Sequence, residues 1–194
     1  DTDGHGTFVA SAAAGGAEVG KRFLGAAPEA SIAMVKLKPA KNYLKEFFAI
    51  AQDAVCYQEN DIMLGLRYLN DLARKQGMPL VICVALGTSF GGHNGDSLLA
   101  DILDIYATVR NRCVVVGTGN EAARRHHYFN RFTDAQDMRT AEIRVGEGTQ
   151  SFAVELWSTL PNIVMVSVTS PSGERTGMIP IRLGYLFDFS FTFE

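Results

Sequence analysis

Two short, wholly apolar runs constrain this fold more than any other feature: Leu-Val-Ile-Cys-Val-Ala-Leu at residues 80–86 and Cys-Val-Val-Val at 113–116. Strand-length runs with no polar interruption are expected where a sheet is covered on both faces, as in parallel sheets. Between them Leu99, Leu103, Tyr106 and Val109 recur at helical spacing, with Asp96 or Ser97 placed to cap the helix start. Upstream, Ile62, Leu66, Leu69 and Ala73 fall on one helical face, and Gly77 with Pro79 supplies the stop. Residues 7–14 are small and apolar, suiting a tightly packed helix that ends at Gly15-Gly16, and residues 31–37 read as a further strand. Strand, helix and strand in this order imply right-handed crossovers and a parallel sheet, hence an α/β core.

The pattern changes after about Thr133. Residues 142–145, 152–157, 163–169 and 178–193 read as strands, separated by Gly146-Glu147-Gly148, Pro161-Asn162 and Ser170-Pro171-Ser172-Gly173. Short strands without intervening helices indicate an antiparallel sandwich or jelly-roll element. The expected division is therefore residues 1–132 and 133–194, with residues 121–131 as a charged connector. With 194 residues and 47% hydrophobic content, the chain has enough material for a buried core. No apolar run approaches the ~20 residues of a membrane helix. A net charge of −3 without a Lys/Arg cluster argues against a nucleic-acid partner. Cys56, Cys83 and Cys113 are too few and too scattered for a disulfide framework or a zinc site, and Cys83 and Cys113 are expected to be buried thiols.

Chemistry concentrates at three places. His5 stands between Gly4 and Gly6 at the opening of a helix, exposed to whatever approaches that end. The positive end of a helix dipole disfavours imidazolium, which suits a general base working near pH 7. Gly117-Thr118-Gly119-Asn120 follows an apolar strand, where open α/β sheets bind ligands, and the Asn120 amide could donate to a developing oxyanion. Ala85-Leu86-Gly87 ends the other apolar strand, and its backbone could pair with an extended peptide by β-augmentation.

Taken together and in order, these segments resemble the subtilisin-like serine peptidases. His5-Gly6-Thr7-Phe8-Val9-Ala10 resembles the family's His-Gly-Thr-His-Val-Ala motif, and Gly25-Ala26-Ala27-Pro28 its Gly-Val-Ala-Pro turn. Ala85-Leu86-Gly87 resembles the Ser-Leu-Gly substrate segment, and Gly119-Asn120-Glu121 the Ala-Gly-Asn-Glu oxyanion segment. The resemblance covers roughly residues 1–131. It implies a partial three-layer, parallel-sheet subtilisin-like core followed by a β-rich, jelly-roll-like segment. It further implies that His5 is the triad base and Asn120 the oxyanion donor. Ala85, Leu86, Gly87, Gly117, Thr118 and Gly119 would flank the substrate, a peptide or protein, and no metal or other cofactor would be required. Phe8 and Ala85 replace the family's usual histidine and serine without removing a reacting group.

Two departures bear on activity. The family's aspartate lies some 30 residues before the histidine, and its serine opens a later helix in a Gly-Thr-Ser-Met-Ala-like motif; neither occurs here. The chain is therefore expected to be the middle portion of a longer peptidase, inactive by itself, with association expected through exposed sheet edges. The alternative is a pseudoprotease or partner-binding scaffold. Residues 139–194, with Glu155-Leu156-Trp157, resemble the jelly-roll insertion of germination-type relatives, which suggests a secreted or spore-associated setting. Leu86-Gly87-Thr88-Ser89 and Gly92-His93-Asn94-Gly95 resemble the same branch.

Other motifs read less well. Gly87-Thr88-Ser89-Phe90-Gly91 matches a Gly-x-Ser-x-Gly elbow, but a glycine-rich loop follows where an elbow turns straight into a helix. Asp1-Thr2-Asp3-Gly4 lacks the preceding strand of a phosphatase motif and the further ligands of a calcium loop. His126-His127 with His93 shows no ligand spacing, so a solvated connector is expected there.

Overall fold

The computed structural model describes residues 3–17 and 23–192. Asp1, Thr2 and the end of the expected strand at Phe193 lie outside those residues. Helix α1 is His5–Ala14, α2 is Asn42–Phe47, α3 is Glu59–Gln76, strand β1 is Leu80–Val84, α4 is Leu98–Thr108 and β2 is Arg112–Val116. Two short strands follow, β3 (Met165–Val166) and β4 (Ile179–Pro180). Contacts gather into two compact units, Asp1–Ala153 and Val154–Glu194.

In the first unit, β1 and β2 pair in parallel from Leu80 opposite Arg112 to Val84 opposite Val116. The crossover between them is α4, so the strand–helix–strand reading of the sequence holds. Ser97 caps α4, its Oγ accepting from the Ala100 amide at 3.1 Å. Gly77 ends α3 in the left-handed conformation (φ 67°), a backbone state glycine adopts without strain, while its N–H closes on Ala73 and Arg74. The Arg112 guanidinium binds α3 to the sheet, donating to Asn70 Oδ1 at 3.0 Å and to the Met78 carbonyl at 3.2 Å. The small core sits where α3 meets β1: Leu66, Ala73 and Ile82 are the buried apolar residues among those described.

Three expectations are corrected. The strands are covered on one face only: Ile82 is 2% exposed, while Val81 is 68% and Val115 50% exposed. Cys83 and Cys113 share that open face, because alternate residues of a strand point to opposite sides, and both thiols are exposed rather than buried. Residues 31–37 form no strand, since no neighbouring backbone pairs with them. They lie along α3 instead, where Gly65 leaves room for Val35 and Lys38 pairs with Asp61 at 3.4 Å.

In the second unit, Met165–Val166 pairs antiparallel with Ile179–Pro180, and Thr169 bridges to Arg175 around the 170–174 turn. This is one short hairpin, narrower than the strands expected at 163–169 and 178–193. Residues 142–145 and 152–157 form no ladder, and Phe152, Val154, Leu156 and Trp157 are exposed. Alternating apolar residues specify a strand only where a partner strand and a covered face are present.

Candidate functional site

The site begins with the placement of His5. Gly4 precedes α1 in the left-handed conformation (φ 76°), so the chain enters the helix abruptly and His5 occupies its first turn. The other end of α1 is closed by the turn containing Gly25. Gly25 N–H donates to the Gly15 carbonyl at 2.9 Å, Ala26 to Ala12 at 3.1 Å and Ala27 to Ala13 at 2.8 Å. Carbonyls at a helix C-terminus lack intrahelical donors, and this turn supplies them. Gly25 is buried, and a Cβ there would strike backbone atoms of Ser11, Ala14 and Gly15, which explains glycine at the head of the Gly-Ala-Ala-Pro segment.

Strands β1 and β2 deliver the other elements. Gly117 N–H donates to the Val84 carbonyl at 3.3 Å, extending the pairing one step beyond the strand ends. Just past that point Gly87 and Gly119 lie side by side, a Cβ on Gly87 falling at ordinary contact distance, 3.9 Å, from Gly119 Cα. Gly119 adopts φ 84°, again the left-handed region, and turns the chain into Asn120. His5 reaches this place: its Nε2 lies 3.1 Å from the Ala85 carbonyl oxygen. A carbonyl oxygen only accepts, so Nε2 carries the proton and donates.

Thus His5, Ala85, Gly87, Gly117 and Gly119 gather at the C-terminal ends of the two parallel strands, with Leu86 and Thr118 between them in sequence. Asn120 is exposed beside Gly119, and its amide takes no partner among the described residues. Ala85 is half-buried and Leu86 is 37% exposed, so this is an open, backbone-rich edge rather than an enclosed cavity.

Three side-chain arrangements around the site were not legible in the sequence. Phe90, in the loop after Gly87, packs on Phe48 with ring centroids 5.8 Å apart. The ring of His93 in the same loop packs at a tilt against His127 of the connector, centroids 4.5 Å apart, and its Nε2 donates to the Ser89 carbonyl at 3.2 Å. Adjacent His126 turns instead to Glu121, 3.2 Å away, a carboxylate that also pairs with Arg124. Ser89, the serine of the elbow-like string, therefore binds a histidine through its backbone carbonyl. The third is Lys45, a buried ammonium donating to the Gln52 and Ala54 carbonyls at 2.7 Å each, which closes the 48–56 loop that carries Phe48. Among the described residues no group of three or more His, Cys, Asp or Glu gathers around a metal position. No helix there is long and apolar enough to cross a membrane.

The profile of the Subtilase family (peptidase S8) matches residues 1–176. Among solved structures, the CspB protease of Clostridium perfringens superposes with a TM-score of 0.70 at 28% identity. That match covers 92% of this chain and 36% of the protease chain, so the present chain spans about a third of that structure's length. No curated protein matches the sequence.

Proposed function

Because the chain belongs to the Subtilase family, we propose that it forms part of a serine endopeptidase and supplies its general base, its oxyanion donor and its peptide-docking strands. The observation that carries this reading is the meeting of His5 with Ala85, and of Gly87 with Gly119, beyond the ends of β1 and β2. In the assembled enzyme a serine attacks the peptide carbonyl while His5 takes its proton. An aspartate orients the ring, and Asn120 donates to the oxyanion. The serine and aspartate come from segments outside these 194 residues.

The burial supports that division. On the open face of the sheet Val81 is 68% and Val115 50% exposed, beside the exposed Cys83 and Cys113. Additional chain covering Val81, Cys83, Cys113 and Val115 would complete a three-layer core. Residues 133–194 are read as a β-rich, jelly-roll-like insertion of the germination-type branch, with Leu86-Gly87-Thr88-Ser89 and Gly92-His93-Asn94-Gly95 in support. The second reading is a peptide-binding scaffold without hydrolysis, favoured by the partner His5 actually has, a carbonyl rather than a hydroxyl or carboxylate.

The test is enzymatic. The 194-residue chain should show no peptidase rate, whereas a longer protein with both missing segments should react with a fluorophosphonate probe and lose hydrolysis on His5→Ala. In subtilisin itself the loss of such an Asn donor costs about 10²–10³ in kcat, and Asn120→Ala should act in the same direction. A rate in the 194-residue chain that His5→Ala abolishes would refute the division of labour. Failure of the longer protein to react with the probe would favour the scaffold.

A further inference from the structure

Two histidines outside the peptidase motifs meet in the fold. His93 lies in the glycine-rich loop that follows β1, and His127 in the connector that follows β2. Their ring centroids are 4.5 Å apart at an interplanar angle of 30°, and both residues are exposed, within reach of a dissolved ion. The backbone sets the tautomer of His93. Its Nε2 lies 3.2 Å from the Ser89 carbonyl oxygen, which only accepts, so in the neutral ring Nε2 holds the proton. Nδ1 is then left with a bare lone pair. His127 takes no hydrogen bond or ion pair among the described residues, whereas its neighbour His126 is turned to Glu121 at 3.2 Å.

We propose that His93 and His127 form a two-imidazole site for a divalent cation of the zinc class, with water in the remaining positions. A histidine that ligates a metal characteristically donates its other ring N–H to a carbonyl, carboxylate or water, which fixes the tautomer and aims the lone pair. The bond from His93 to Ser89 is that arrangement. Imidazole nitrogens bind zinc at about 2.0–2.1 Å, so two of them on one ion stand no more than about 4 Å apart. Rings with centroids 4.5 Å apart reach that separation by side-chain rotation alone. Imidazole suits zinc, copper and nickel, and zinc accepts water beside its protein ligands. Glu121 is taken by Arg124 and His126, and no third His, Cys, Asp or Glu joins the pair among the described residues. The site is therefore open and exchangeable rather than a closed structural centre. It takes no part in peptide hydrolysis and is independent of the function proposed above. Its effect is to clasp the loop that leaves Gly87 to the connector that leaves Asn120.

The test is a titration of zinc chloride into the 194-residue chain carrying ¹⁵N-histidine label. The rings of His93 and His127 should respond on one common binding curve, while those of His5 and His126 keep their signals. At His93 the responding nitrogen should be Nδ1, with Nε2 still protonated toward Ser89. In His93→Gln the affinity read at His127 should fall at least about tenfold, and His127→Gln should do the same to His93, since even the loss of a ligand's supporting partner costs that much. His126→Gln, which leaves both rings in place, should bind as the wild type does. Zinc held by the exposed thiols of Cys83 and Cys113 would leave the histidine signals unmoved and so is not mistaken for this site. Separate binding curves for the two histidines, a response at His93 Nε2, unaltered affinity in either Gln variant, or no response of either ring would overturn the proposal. The wild-type titration decides the first two and the last of these without any substitution.

Discussion

Replacing Gly25 by alanine tests how α1, and with it His5, is held. The added Cβ would lie against the Gly15 nitrogen, 2.8 Å from the Ser11 oxygen and 2.9 Å from the Ala14 nitrogen. All three are backbone atoms, so no side-chain rotation relieves the clash; the turn must move off the helix end. The move breaks the bonds from Gly25, Ala26 and Ala27 to the Gly15, Ala12 and Ala13 carbonyls. Three neutral hydrogen bonds are worth about 3 kcal/mol, and residual overpacking adds about 1–3 kcal/mol. No residue of α1 is buried, and a ten-residue helix is marginal without tertiary support. The cost should therefore appear as local opening of α1. Hydrogen exchange is the assay: amides of α1 should lose at least two orders of magnitude of protection, while those of α3 keep theirs. Gly16→Ala is the control, since a Cβ there meets nothing within 4 Å. Equal protection of α1 in wild type and Gly25→Ala would refute the reasoning.

Further predictions follow the same logic. Ser97→Ala removes the cap of α4 and should cost about 1 kcal/mol in denaturant unfolding; an unchanged midpoint would mean the Oγ bond contributes nothing. Lys45→Met removes two charge-assisted bonds, each worth about 1.5–3 kcal/mol before the gain from burying methionine. The 48–56 loop should become the first site of limited proteolysis, and an unaltered cleavage pattern would show that the lysine does not close it. The Thr133 amide, its hydroxyl and Arg139 hold the Asp137 carboxyl below the ordinary range, the amide acting most strongly. The folded state then binds this proton less readily than the unfolded one. The contribution is complete above the unfolded value of about 4 and is lost as pH falls through the lower folded value. Exchange of the Thr133 amide should accelerate in that acid window and lose the dependence in Asp137→Asn.

The elements legible in the sequence were those whose determinants are local. The α3 face with its Gly77 stop, the Ser97 cap and the two apolar runs all formed where periodicity and capping placed them. Residues 31–37, 142–145 and 152–157 carry strand-like patterns, yet a ladder is a property of two segments, and among the described residues no second segment pairs with them. Burial of Cys83 and Cys113 failed for the same reason: the composition of a run says which faces are apolar, not what covers them. At the candidate site, His5 and the glycines could be read from motif and order. The partner of His5 could not, because a backbone carbonyl leaves no trace in side-chain identity. Nor could the packing of His93 against His127 or the Lys45 clamp, which join residues through loop geometry without any periodic signal.

Titrating a capped, uncharged Ala/Leu hexapeptide into isotopically labelled chain, and mapping backbone amide shifts, asks whether the ends of β1 and β2 dock a peptide. The largest changes should fall on Leu86, Gly87, Thr118 and Gly119. Changes confined to another surface, such as the apolar groove of Met63, Ile102 and Ile105 between α3 and α4, would contradict it.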